Sequence, residues 1–201
     1  MKKAFTLVEL LAVIVILLSL AALIYPVIAT SKDVAKKAIC ASNLHEIGLA
    51  TAAYQSDFDD HYPVVVNYLE RADPLLRLGR SPNDDPSAYQ TPRSALQRYA
   101  GNAAGVFRCA RDTGGNVAVL KLYPTVAEFN DNNSYLFAEL FDGQTASTWK
   151  DPSKATWACD AGSSWHAPNY DPLDINTYMV MSLAYDGHVA LKHSWGPTFL
   201  E

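Results

Sequence analysis

The residues best suited to chemistry lie late in the chain. His166, His188 and His193, with Asp160 or Asp186, could be gathered at one end of a hairpin. Three imidazoles and a carboxylate would suit zinc. However, no helical His-x-x-x-His pair occurs, and loop histidines are more often solvated, so no metal is assigned to them. Asp131-Asn132-Asn133, Asp142 and the Asp171…Asp174…Asn176 loop are rich in oxygen donors of the kind calcium takes. None has the EF-hand spacing, so no cofactor is assigned and calcium stands as the cation these loops could hold. The cysteines are Cys40, Cys109 and Cys159. They contain no Cys-x-x-Cys pair, which argues against a zinc ribbon. Three single disulfides can be drawn among them. Cys40 falls on a helix face, where a free cysteine behaves as a small buried hydrophobe, and this favours a Cys109–Cys159 bridge.

Enzyme signatures are missing. There is no Gly-x-Ser-x-Gly, phosphate loop or dinucleotide fingerprint. Ser163, Ser164 and His166 are too close in sequence to read as a nucleophile and its base. Asp59-Asp60 and Asp84-Asp85 are adjacent pairs that read as solvated loops. Trp149, Trp157, Trp165 and Trp195 could line a carbohydrate or peptide surface, but packing in the core and on strand faces is the simpler use. The chain is not expected to be an enzyme.

One carboxylate stands apart. Glu9 sits inside an apolar run from Leu7 to Ala29. As a helix, that run is about 34 Å long at ~1.5 Å per residue, enough to cross a hydrocarbon core of roughly 30 Å. A carboxylate at the centre of such a segment costs about 3 kcal/mol, and less near an end, so something must offset it. A secretory signal peptide is the plainest alternative, cut near Ala29, but its apolar core is usually only about 7–15 residues.

Lys2-Lys3-Ala4-Phe5-Thr6-Leu7-Val8-Glu9-Leu10 resembles the processing site of the type IV pilin and type II secretion pseudopilin superfamily. The resemblance implies a leader, residues 1–4, cut between Ala4 and Phe5 by a prepilin peptidase. It implies methylation of the new Phe5 amine, and an assembly role for Glu9 toward a neighbouring subunit's N-terminus. Pro26 then falls where the family often has a helix-distorting proline. The family usually has Gly before the cut, where this chain has Ala4.

The remaining chain suits one compact domain. The whole chain has a formal charge of −5, and loss of Lys2 and Lys3 would take it to −7, both lost charges being positive. An acidic domain argues against binding to a phosphate backbone, so no nucleic acid partner is expected. Arg71, Arg77, Arg80, Arg93 and Arg98 are interrupted by Asp73, Asp84 and Asp85.

The helix should continue past Thr30. Pro26 removes one backbone donor, so a kink or local loosening is expected there. Beyond it, Cys40, Leu44, Ile47, Thr51, Tyr54 and Phe58 recur at steps of three and four, which is one apolar helical stripe. Gly48 would allow close approach of a sheet. Tyr62-Pro63 ends the helix. Leu69, Leu75, Leu76 and Leu78 suggest a short helical piece, followed by an exposed loop from Gly79 to Pro86. Ser94 resembles an N-cap for a helix from Ala95 to Tyr99. Candidate strands run from Val117 to Tyr123, Ser134 to Phe141 and Thr156 to Cys159. Thr177 to Tyr185 and His188 to His193 flank Asp186-Gly187, a strong hairpin signal.

A second, narrower resemblance covers the helix and the domain. Cys40-x-x-Asn43-Leu44-x-x-Ile47-Gly48-Leu49-Ala50, then Tyr54 and Tyr62-Pro63, is similar to a prepilin-like group known chiefly from environmental bacteria. Leu96, Tyr99, Phe107, Cys109 and Asp112 fit the same group, with Ala110 replacing a proline. Asp186-Gly187-His188 matches the end of its C-terminal His…Asp-Gly motif. The group's His usually lies nine residues earlier; here the nearest is His166, with Asn169 to Asn176 as a candidate insertion.

These features together predict an α+β fold. A long N-terminal helix would be transmembrane in its first half and amphipathic in its second, and would pack on a C-terminal antiparallel sheet. The predicted divisions are 1–4 leader, 5–30 transmembrane and assembly helix, 31–58 amphipathic continuation, and 59–201 extracytoplasmic domain. The resemblance implies a structural subunit of an inner-membrane filament, a pilus or a secretion pseudopilus, with other pilin-like subunits as partners. The competing class is a membrane-tethered binding or enzymatic domain that uses the segment only as an anchor.

Overall fold

In the computed structural model, residues 6–66, 90–113, 131–138, 143–148, 151–162, 165–167 and 179–192 are described. The expected strand at Val117 to Tyr123, the helical piece around Leu75 and the loop from Gly79 to Pro86 lie outside them, as do Ala4 and Phe5.

Helix α1 spans Leu7–Asp57 and is unbroken through Pro26. The chain divides into two compact units, 1–36 and 37–201, and α1 contributes to both. In the first unit every described side chain from Leu7 to Lys32 is exposed. In the second, Cys40, Leu44, Ile47, Ala50 and Thr51 are buried. All but Ala50 belong to the expected stripe, with Tyr54 half-buried and Phe58 exposed at its end. Asp59 and Asp60 follow with positive φ of 50° and 61°. This turn closes with the Asp60 amide donating to Gln55 O, so the adjacent carboxylates do lie in an exposed turn.

Among the described residues the sheet is four-stranded and antiparallel in the order β1-β2-β3-β4: β1 Tyr135–Phe137, β2 Thr156–Asp160, β3 Val180–Ala184 and β4 Val189–Lys192. Every residue of β2 and β3 is buried. Their sequences do not alternate apolar with polar, as expected of strands covered on both faces. The α1 stripe joins them in one core. Trp157 on β2 donates its indole N–H to Thr51 Oγ1 at 3.2 Å, and packs on Tyr62, Phe137 and Tyr185. A Cβ on Gly48 would stand 3.1 Å from Leu183 Cδ1, so helix and sheet approach closely at that glycine, as expected from the sequence.

Two local expectations change. The short helix α2 is Pro92–Leu96, earlier than expected, and its N-cap is Thr91. Thr91 accepts from the Ser94 amide and Pro92 takes the first helical position, a stronger start signal than Ser94 offers. In the β3–β4 hairpin the register pairs Leu183 with Val189. The connection is therefore the four residues 185–188, closed by Ala184 N–H to His188 O at 2.9 Å. Gly187 has φ +89°, a geometry that glycine adopts without penalty.

Candidate functional site

The N-terminal candidate is built on a helix start. Thr6 precedes α1, and its amide and hydroxyl both donate to Glu9 Oε2, at 2.9 and 2.8 Å. The Glu9 amide in turn meets Thr6 Oγ1 at 3.3 Å. This reciprocal arrangement is a capping box. It supplies donors to a carboxylate that would otherwise stand alone in an apolar run. The Thr6-x-x-Glu9 spacing is a recognisable box signature that the sequence reading did not use. Downstream of it the helix has a mean hydropathy of 3.0 over its most apolar window, none of it buried. By length and composition this helix can cross a membrane.

The candidates in the domain fall into two separate pairs. At one end of the sheet, His166 Nε2 lies 2.9 Å from Asp160 Oδ2, both side chains being fully buried. Met181 N–H also donates to Asp160 Oδ2, at 2.9 Å. Burial pushes the Asp160 carboxyl above the usual carboxylate range, against the opposing pull of the His166 hydrogen bond. Among the described residues, Asp160 Oδ1 and His166 Nδ1 have no hydrogen-bond partner. At the other end, His188 Nδ1 lies 2.6 Å from Asp186 Oδ1, and both side chains are substantially exposed. Burial is the largest single influence on the Asp186 carboxyl and raises it, but hydrogen bonds from the His188 backbone and ring, with the attraction of that ring, together hold it below its ordinary value.

The strand register keeps these pairs apart. Cys159, next to Asp160, pairs with Ser182, whereas Thr156 pairs with Ala184 just before the hairpin turn. Two residues of β3 separate those two positions, about 7 Å at ~3.3 Å each, with an irregularity in β2 between Thr156 and Ala158. His166 and Asp186-Gly187 are therefore placed toward opposite ends of β3, and His166 and His188 do not meet at one end of the hairpin. His193 lies outside the described residues.

The cysteine pairing differs from expectation. The disulfide joins Cys40 to Cys109, with Cα atoms 4.8 Å apart, while Cys159 is free and buried. The favoured Cys109–Cys159 bridge is therefore corrected. Cys40 is on the apolar face of α1, as read, but that face meets the loop that carries Cys109. Asn43, one turn along, donates from Nδ2 to Arg108 O at 2.7 Å, so Cys40-x-x-Asn43 grips Phe107-x-Cys109 at two points. Asp112 accepts from Ser134 Oγ at 2.7 Å and ties the same loop to the start of β1. Cys159, on β2, is pushed up to about 12 by burial, which keeps it a protonated thiol of low reactivity.

The oxygen-rich segment described is occupied internally. Asn133 bonds the Tyr135 amide and carbonyl with its own side chain, and Asp131 accepts from Thr91 Oγ1. Asp142 and the 171–176 loop lie outside the described residues. Trp157 and Trp165 are buried and serve packing rather than a surface. Ser163, Ser164, Trp149 and Trp195 are not described.

Residues 1–25 match the family model of the prokaryotic N-terminal methylation motif. No curated protein and no solved structure matches the chain. The chain thus carries a prepilin-type N-terminus on an apolar helix that leads into an α+β domain.

Proposed function

We propose that the protein is a prepilin-like structural subunit. A prepilin peptidase removes Met1 to Ala4, cutting before Phe5, whose amine is then methylated. The apolar half of α1 holds the chain in the inner membrane with its acidic domain outside, until the subunit is drawn into a pilus-like filament or secretion pseudopilus beside other pilin-like subunits. The observation that carries this reading is the methylation motif over residues 1–25, set at the start of a helix whose apolar segment is wholly exposed.

Glu9 supplies register in this reading. In the single chain its carboxylate is capped by Thr6. In a helical bundle, the neighbouring subunit's Phe5 amine would pair with it, and a misregistered helix would leave the carboxylate buried and unpaired, at a cost of several kcal/mol. Packing and such polar contacts, rather than apolar area alone, decide helix association in lipid. Pro26 lacks a backbone donor, so the helix would bend most easily there during that transfer.

The test is intact mass and N-terminal sequence of the protein from its own membranes. A chain that starts at N-methylated Phe5 supports the reading. An intact Met1, or a start near Thr30, overturns it. Glu9→Ala is expected to insert normally and to be missing from sheared filaments; normal filaments from that variant would refute the register role.

A further inference from the structure

We propose that Cys40, Cys109, His166 and Asp160 form a tetrahedral metal site of the zinc type in the dithiol form of the protein. The two sulfurs and a ring nitrogen of His166 already lie within 4.8 Å of one another, and all three residues are buried. Asp160 Oδ2 stands 2.9 Å from His166 Nε2, and Cys109 Sγ stands 3.8 Å from the same nitrogen. Bond lengths of ~2.0–2.1 Å to nitrogen, ~2.0–2.2 Å to oxygen and ~2.3 Å to sulfur require tetrahedral edges of about 3.3 Å for N···O and about 3.6 Å for N···S. These two observed separations are within about half an ångström of those edges. The sulfurs must part, to about 3.8 Å, and Asp160 must turn in as the fourth ligand, because the preformed group is Cys40, Cys109 and His166 alone.

The environment suits a cation better than it suits a catalytic thiol. His166 Nε2 faces Asp160 Oδ2 and Cys109 Sγ together, at 2.9 and 3.8 Å. A metal ion placed among these groups would be bound by nitrogen, oxygen and both sulfurs at once. The Arg111 amide points at Cys109 Sγ at 3.4 Å, a contact that supports a thiolate. Among the described residues Asp160 Oδ1 has no hydrogen-bond partner, and a cation would offset the charge of this uncompensated buried acceptor. The site ties α1, the Cys109 loop and the end of β2 together, two of which the disulfide also joins.

The two forms interconvert by thiol–disulfide exchange. In the metal-bound form both cysteines are thiolates. A partner disulfide takes two electrons from them and two protons from water, becoming a dithiol, while the Cys40–Cys109 bond forms and the metal ion leaves. The site therefore holds the domain before oxidation, and the disulfide holds it afterwards.

The experiment uses the full chain in detergent, reduced without oxygen by a phosphine, with cobalt(II) as probe. One equivalent should give thiolate-to-metal charge transfer and intense tetrahedral d–d bands, both lost on addition of zinc. Oxidised protein should give neither. Cys159→Ala should bind fully, and His166→Ala should bind about tenfold or more weakly. Asp160→Asn should keep the sulfur bands and shift the d–d envelope. A reduced, folded protein showing only aquo-cobalt spectra would overturn the proposal. So would bands that persist in Cys40→Ser, or a reduced chain that stays unfolded when zinc is added.

Discussion

Helix α1 meets two different environments along one continuous length. Between Leu7 and Ile28 large apolar side chains lie all round it, and all are exposed, Leu7 at 80% and Val13 at 47%. From Cys40 the apolar residues narrow to one stripe, and Leu44 and Ile47 are fully buried. A helix apolar on all sides needs an apolar solvent or other helices, whereas a single stripe needs only one surface. The domain supplies that surface for the second stretch. The first stretch is left for the bilayer and, in the proposed filament, for other subunits.

The contrast predicts unequal responses to substitution. Leu44→Asp should place an unpaired charge in the core and cost about 4 kcal/mol or more, enough to unfold the domain. Leu17→Ala, in the exposed stretch, should leave domain stability within about 0.5 kcal/mol. Denaturant unfolding in detergent, followed by tryptophan fluorescence, compares the two. Equal losses would break the distinction between the halves.

A smaller effect is expected at the covalent tie between α1 and the domain. The double variant Cys40→Ser, Cys109→Ser, assayed under oxidising conditions, should lose about 2–5 kcal/mol, as removal of a native disulfide from a small domain usually does. Cys159→Ser should not reproduce the loss of the bridge. If the double variant and the parent unfold at the same denaturant concentration, the contact between Asn43 and Arg108 is holding this junction by itself.

Smaller again is Thr51→Val. It keeps the side-chain shape but removes the acceptor of the buried Trp157 indole N–H. Leaving that donor unpaired should cost about 1–3 kcal/mol. An unchanged midpoint would mean that the indole finds another acceptor.

Periodicity made the helix and its stripe legible. Six residues at steps of three and four marked the face, and the structure buries the first four of them. Asp186-Gly187 between apolar runs marked the hairpin equally well, because turn chemistry is local. Gly48 was legible for the same reason. The disulfide was not, since Cys40 and Cys109 are 69 residues apart, and a cysteine on an apolar face looks the same whether it packs or bonds. Nor was the His166–Asp160 pair legible as a pair distinct from His188–Asp186. Their separation follows from β2–β3 register, which depends on tertiary packing. The capping box at Thr6 and Glu9 was open to reading from spacing alone, yet membrane cost drew attention to Glu9 as a lone charge.

The last effect is a pH dependence confined to the domain. Asp160 has its folded-state affinity for a proton raised, chiefly by burial. Below the ordinary carboxylate range, folded and unfolded chains both carry the proton and Asp160 adds no slope. As pH rises through the unfolded value, the unfolded chain releases its proton first, so the folded chain holds more protons and stability falls. The fall ends once pH passes the raised folded value, and its slope cannot exceed about 1.4 kcal/mol per pH unit for one proton. Asp160→Asn keeps an oxygen toward the Met181 amide and His166 while removing the titration. The difference in unfolding free energy between parent and variant should therefore change in the variant's favour as pH rises from about 4. Asp186→Asn should move the opposite way, because that carboxyl is held below its ordinary value and its stabilisation is lost as pH falls through the folded value. Parallel curves for parent and Asp160→Asn would mean that Asp160 titrates alike in the folded and unfolded chains, and that its burial against His166 carries no net electrostatic cost.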